Sequence, residues 1–286
     1  MPTRRRDRRS GVFLFIAVLV VVAGVTIAVW RGTGPLPDPP GCTATVGGHT
    51  VDLAPDQAEN ASLIAAIGVR RGLPARAVSI ALATAYQESK IRNLTHGDRD
   101  SIGIFQQRPS QGWGTESQIS DEHYAINRFY DALEKIDGYQ SMRITEAAQK
   151  VQRSGFPEAY EEHAPDARAL ASALTGFSPG GAFSCVARTP DGHGTASKAT
   201  ATLTKAYGDL DIARTGRRQE FTVTVGTDQD GNRKGWSIAQ FLVAHADVLD
   251  VESVTFDGKT WRTGRDSEKD WVPSAASGST VTVSLA

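Results

Sequence analysis

Glu88 is the first residue whose surroundings suggest chemistry. It stands near the end of a helical pattern from Pro74 to about Ser89, and its neighbours three, four and seven positions back are Ala85, Thr84 and Ala81. That face is small and largely apolar. The end of a helix is also the negative end of its dipole. Both conditions disfavour an ionised carboxylate and raise its pKa. A carboxylic acid that keeps its proton near neutral pH is what a glycosidic leaving oxygen requires. The competing reading is an ordinary glutamate on a solvated helix end, where most glutamates lie. Most glycosidases use a second carboxylate. Asp98 and Asp100 follow in the next loop, where Gly97 and Arg99 equally suit plain turn formation. The stretch Gln107–Trp113 adds polar groups and one indole. Trp113 can stack on a sugar face or pin the loop to the body, and Gln107 and Arg108 can bind hydroxyls. The polar segment Val151–Gly155 has no role assignable from sequence.

The context of Glu88 carries a resemblance. Tyr86-Gln87-Glu88-Ser89 is followed by Ser101-Ile102-Gly103-Ile104-Phe105-Gln106-Gln107-Arg108-Pro109. This resembles the lysozyme-like (goose-type/SLT-like) catalytic domain of lytic transglycosylases. Their motifs are a Glu-Ser pair at a helix end and a downstream Gly-Leu-Met-Gln followed by a proline. Glu88-Ser89 matches the first, and Gly103-Ile104-Phe105-Gln106 matches the second with apolar replacements in its middle. The resemblance spans about residues 50–175. It implies a mainly α lysozyme-like domain over residues 42–188 that cleaves the MurNAc–GlcNAc bond of peptidoglycan glycan strands. Glu88 would be the general acid and later the base, with Ser89 and Gln106 positioning the sugar or the Glu. Gly103, Gln107, Trp113 and Tyr160 complete the expected substrate-binding set. The family's third motif, Ala-Tyr-Asn, has no plain counterpart. Tyr160 is the stand-in, and a core aromatic is the alternative for it. The resemblance also implies that one Glu suffices, because the substrate's N-acetyl group assists and a 1,6-anhydro sugar forms. No cofactor is expected.

The elements that must hold these residues show as patterns. Pro55–Arg71 repeats Ala, Leu and Ile at helical spacing and stops at Gly72. A helix follows from Pro74, another after an N-cap at Ser120, a short one from Thr145, and a last over Pro157–Leu174. Residues 189–216 read as a linker with a helix near Thr195–Tyr207. Residues 217–286 read as a small α+β domain of unknown function. Its strands are Phe221–Val225, a pair about the Asp257-Gly258 turn, and Thr280–Leu285; its helix is Gly235–Val248. Its Trp236, Trp261 and Trp271 can bind glycan or fill the core. Cys42 and Cys185 bracket the main domain, and a disulfide between them is expected to contribute about 4–5 kcal/mol in the chain-entropy model. The six His show no zinc-binding spacing, so no metal is expected.

The net charge of −1 over 286 residues hides an asymmetry. Residues 1–9 hold five Arg and one Asp, and the remainder sums to −5. The bulk charge gives no case for nucleic acid. Residues 1–10 read as a cytoplasmic basic tail, residues 11–30 as an uncharged transmembrane anchor, and residues 31–41 as a Pro/Gly linker. A cleaved signal peptide is the rival for the apolar run. The expectation is therefore a single-pass membrane protein with its bulk outside, resembling actinobacterial membrane-anchored wall proteins. Protein partners are not readable. Two rival functions differ in class: a non-catalytic glycan-binding or scaffold protein, and a transporter. One span cannot form a translocation path by itself, which disfavours the second.

Overall fold

The computed structural model describes Val20, Ala23, Thr26 and residues 38–286, apart from Pro157, Pro179, Arg218, Ala276 and Ser277. In chain order the elements are β1 (Gly41–Val46), β2 (His49–Leu53), α1 (Pro55–Arg70), α2 (Ala75–Ser89), α3 (Glu116–Ile119), α4 (Glu122–Leu133), α5 (Ile144–Gln152), α6 (Ala164–Leu174) and β3 (Phe183–Val186). They continue as α7 (Ala196–Tyr207), β4 (Asp211–Arg214), β5 (Glu220–Thr224), α8 (Gln229–Ala244), α9 (Ala246–Leu249), β6 (Val251–Phe256), β7 (Lys259–Arg262), β8 (Val272–Pro273) and β9 (Thr280–Leu285). Short 3-10 turns lie at Pro109–Gln111, Ala159–His163 and Gly264–Lys269.

Two expectations are corrected. The first is the transmembrane anchor, and with it the single-pass placement with the bulk outside. Among the described residues no helix is long and apolar enough to cross a membrane. A span needs about 20 consecutive apolar residues. The helices α1 and α8 each run 16 residues and carry charges such as Asp56, Arg70, Asp230 and Arg233. Of the 11–30 segment only Val20, Ala23 and Thr26 are described. The basic tail, the rest of that segment and residues 31–37 lie outside the described residues. The second correction is to the fold class. The chain is not a mainly α domain followed by a small α+β piece; it is a mixed α/β fold with two sheets. Strands β1 and β2 form a hairpin before the first helix, and β3 returns after α6 to complete an antiparallel sheet of order β2-β1-β3. The second sheet, of order β4-β5-β9-β6-β7-β8, is antiparallel throughout its pairs.

Local sequence explains most of the helix ends. Pro55 occupies the first turn of α1, and the Gln57 side chain accepts from the Ala54 N–H at 2.9 Å. Gly72, at φ +67, takes the left-handed position after that helix. Pro74 is extended and precedes α2 instead of opening it. Asp121, not Ser120, caps α4, accepting from the Tyr124 N–H at 3.0 Å. The 157–174 stretch divides into a 3-10 turn and α6.

Residues Pro40–Ala286 form one compact unit. Helix α8 joins its parts: it packs on β6 and β9 on one side and on α1 and α6 on the other. Its run from Gly235 to Ala244 is buried throughout. The polar groups on that run are matched. Gln240 donates to Ala173 O at 2.6 Å and accepts from Phe183 N at 3.0 Å, and Ser237 donates to Leu174 O at 2.7 Å. All three C-terminal tryptophans are buried. The indole N–H of Trp261 donates to Cys185 O at 3.0 Å and that of Trp271 to Phe183 O at 2.9 Å. Trp236 donates to Asp257 at 3.2 Å. They are therefore core residues and are not open to glycan.

Cys42 and Cys185 are register partners across β1 and β3 and are joined by a disulfide. The bridge closes a separation of 143 residues. Replacing both with Ser is expected to lower stability by up to about 5 kcal/mol in the chain-entropy model. A urea titration reads this as a lower midpoint. A thiol assay on denatured, unreduced native chain should find none; two free thiols would refute the bridge.

Candidate active site

Helix α2 is apolar on nearly every side. Val78, Ile80, Leu82 and the alanines from Ala77 to Ala85 are all buried, and α1, α4, α5 and α6 pack around it. Its last turn reaches the edge of that packing: Tyr86, Gln87 and Glu88 are half-buried, Ser89 is buried and Lys90 is exposed. Two successive non-glycine residues end it in the left-handed region, Lys90 at φ 56 and Ile91 at φ 59. Ile91 N bonds back to Ala85 O and Lys90 N to Tyr86 O, both at 3.0 Å. A β-branched residue in this region is strained. Ile91 is fully buried, and its packing holds it there.

Glu88 sits one residue before that end and is partly buried. The Tyr160 hydroxyl donates to Glu88 Oε1 at 2.7 Å, and the Gln152 amide also bonds the carboxylate. Burial raises the Glu88 pKa above the ordinary carboxylate range, and the bonds from Tyr160 and Gln152 partly offset that rise. Tyr160 is itself fully buried, and its own ionisation is pushed far up by burial and by the adjacent carboxylate.

The second motif is fastened to the same helix end. Ser89 is buried; its hydroxyl donates to Ile104 O at 2.7 Å and accepts from Arg92 N at 3.1 Å. Gln152 donates to Phe105 O at 2.8 Å, so one amide touches both the Glu and the loop. Gln106 is left-handed, at φ 47, and its amide turns back on its own loop, to Gly103 O at 3.1 Å and His96 O at 3.4 Å. A Cβ on Gly97 would lie 1.8 Å from Gln106 Oε1, so this return needs a glycine there. Gly103 has φ +79, and a Cβ on it would meet Ile119 O at 2.9 Å. Gln107 is buried, and its amide donates to Ala125 O at 3.2 Å, which ties the loop to α4. Asp100 accepts from Arg108 at 2.7 Å and from Ser110 N at 2.8 Å; these bonds hold its pKa well below the usual carboxylate range. It acts as a loop brace. Asp98 is exposed.

A groove of about 760 Å³ opens beside this centre, lined among others by Trp113, Arg128, Asp131, Lys135, Lys150 and Gln152. Glu88 is not one of its lining residues; Gln152 is the side chain common to groove and Glu. Of the residues expected from sequence, the structure thus brings Glu88 and Tyr160 into contact. Ser89, Gly103, Gln106 and Gln107 build the adjoining loop, and Trp113 stands in the groove. Sequence reasoning left Gln152 without a role. The only hint was the polar segment 151–155 itself.

Residues 194–283, from the approach to α7 through most of β9, match the family model described as VldE, C-terminal domain. The match does not reach Glu88 or the groove. No curated protein matches the chain.

Two measurements test the electrostatics of Glu88. Tyr160→Phe removes a bond to the ionised form, so the Glu88 pKa is expected to rise further, read by carboxyl-carbon NMR titration. An unchanged titration rejects the contact. The second is stability. Between the unfolded carboxylate value and the raised folded value, the native state holds a proton that the unfolded chain has released. Native stability therefore falls as pH rises through that window. Glu88→Gln removes the loss, so its thermal midpoint relative to the native chain should climb across the window and then level off.

Proposed function

We propose that this chain cleaves the glycan strands of peptidoglycan, with Glu88 as general acid and then base. The observation that carries this is the carboxyl group itself: desolvated at the end of a buried helix, raised in pKa, and held by Tyr160 and Gln152 beside an open groove. In the first step the protonated Glu88 gives its proton to the glycosidic oxygen as the bond to the anomeric carbon breaks. Tyr160 and Gln152 stabilise the carboxylate so formed. The loop carboxylate Asp100 is committed to Arg108 and Ser110. That supports a route in which the substrate's own N-acetyl group stabilises the anomeric centre and Glu88 then takes the proton of the 6-hydroxyl, giving a 1,6-anhydro sugar. The resemblance of Glu88-Ser89 and Gly103–Gln106 to lytic transglycosylase motifs points the same way.

One observation favours a second reading, a non-catalytic glycan-binding or scaffold protein: Glu88 is not among the residues that line the groove.

The two part in one experiment. Purified sacculi are incubated with the native chain and with Glu88→Gln, and the released muropeptides are read by mass. The expected result is anhydro products from the native chain and a fall of at least about a hundredfold in the variant. Equal release by both defeats the acid assignment. Binding by both with release by neither establishes the second reading.

A further inference from the structure

The groove carries charge that the cleavage step does not use. Lys135, Lys150 and Arg153 line it, and among the described residues none of the three has a carboxylate partner. The one carboxylate of the lining, Asp131, is already engaged: Arg71 bonds it at 2.8 Å and Arg128 stands 3.7 Å away. The groove is thus cationic although the chain as a whole is −1. Arg153 occupies the left-handed position that ends α5, at φ 52, where glycine is the usual residue. Trp113 faces the same space from a fixed turn. Its carbonyl accepts from the Tyr124 hydroxyl at 3.1 Å. The next residue, Gly114, leaves no room for a Cβ, which would meet Tyr124 Oη at 2.6 Å.

We propose that this groove is an oxyanion subsite of the glycan-cleaving centre. Lys135, Lys150 and Arg153 hold a carboxylate or phosphate borne by the glycan polymer, while a sugar ring lies on Trp113. The subsite rests on the glycan-cleaving reading and gives it a substrate preference: acidic glycan over neutral glycan of the same linkage. Added salt weakens the attraction.

The test measures binding, not cleavage, in the full chain carrying Glu88→Gln. The probes are intact sacculi, sacculi with carboxylates amidated by carbodiimide, sacculi stripped of phosphodiester polymers by hydrofluoric acid, and neutral chitin. Lys135→Gln, Lys150→Gln and Arg153→Gln combined are expected to weaken retention on intact sacculi by about tenfold or more. Salt should weaken the parent's retention. One of the two chemical treatments should reproduce the loss and so identify the anion. A folded triple variant that binds as tightly as its parent overturns the subsite, as does equal binding to chitin and sacculi. If the triple variant does not fold, the parent decides alone: retention indifferent to salt overturns the subsite. Failure of the native chain to cleave is a separate result and bears on Glu88, not on the groove.

Discussion

Helix α2 is apolar on nearly every side through its middle, from Ala77 to Ala85, so that stretch is stable only when covered all round. That requirement organises the helical part of the molecule. The helices α1, α4, α5 and α6 are placed to cover it, and its half-buried last turn comes out at the edge of the body they form. The raised pKa of Glu88 follows from this packing. A carboxylate placed at the end of a surface helix would be hydrated and ordinary. Here the same residue lacks water on one side and has two hydrogen-bond donors in its place. The strain at Lys90 and Ile91 belongs to the same arrangement, because the chain must turn sharply out of a buried helix without a glycine to ease it.

Polar ties then convert packing into geometry. Ser89 fixes the loop to the helix end through Ile104, Gln107 fixes it to α4, and Gln152 spans from Phe105 to Glu88. Each tie joins segments far apart in the chain, and burial makes each costly to break. The C-terminal part uses the same device. Gln240, Trp261 and Trp271 all bond the carbonyls or amides of β3 and its surroundings. The two tryptophans tie the second sheet to the first, while the disulfide lies within the first sheet and joins β1 to β3.

The sequence made some of this legible and hid the rest for physical reasons. Helices α1 and α2 show because their alanine and aliphatic content repeats over four turns. Strands β5 and β9 show because β-branched residues alternate. The small face of Ala81, Thr84 and Ala85 allowed a poorly solvated Glu88 without deciding against an ordinary one; the motif context around it tipped the reading. Strands β1 and β3 are short, so neither has a clear pattern of its own; what makes them strands is their place in the sheet, with β1 paired to β2 on one side and to β3 on the other. The tryptophans of the C-terminal part are equally compatible with a core and with a sugar platform until their N–H partners are known. Gln152 is the hardest case. Its importance lies wholly in which backbone carbonyl and which carboxylate it meets, and no local property of residues 151–155 encodes either.

The pairing of donors at Glu88 bears on how one carboxyl can serve twice. Desolvation favours the protonated form. Strong ion pairing alone would keep it ionised and useless as an acid. Tyr160 and Gln152 oppose the desolvation without a full charge. The groove cations stand apart from this balance: the causes of the Glu88 shift are burial, Tyr160 and Gln152, and no lysine or arginine is among them. In the proposed reading a strand's acidic groups are held in the groove by Lys135, Lys150 and Arg153, apart from Glu88. In that reading, charge recognition and proton transfer are separated in space, and Gln152 is the side chain common to the groove and to Glu88.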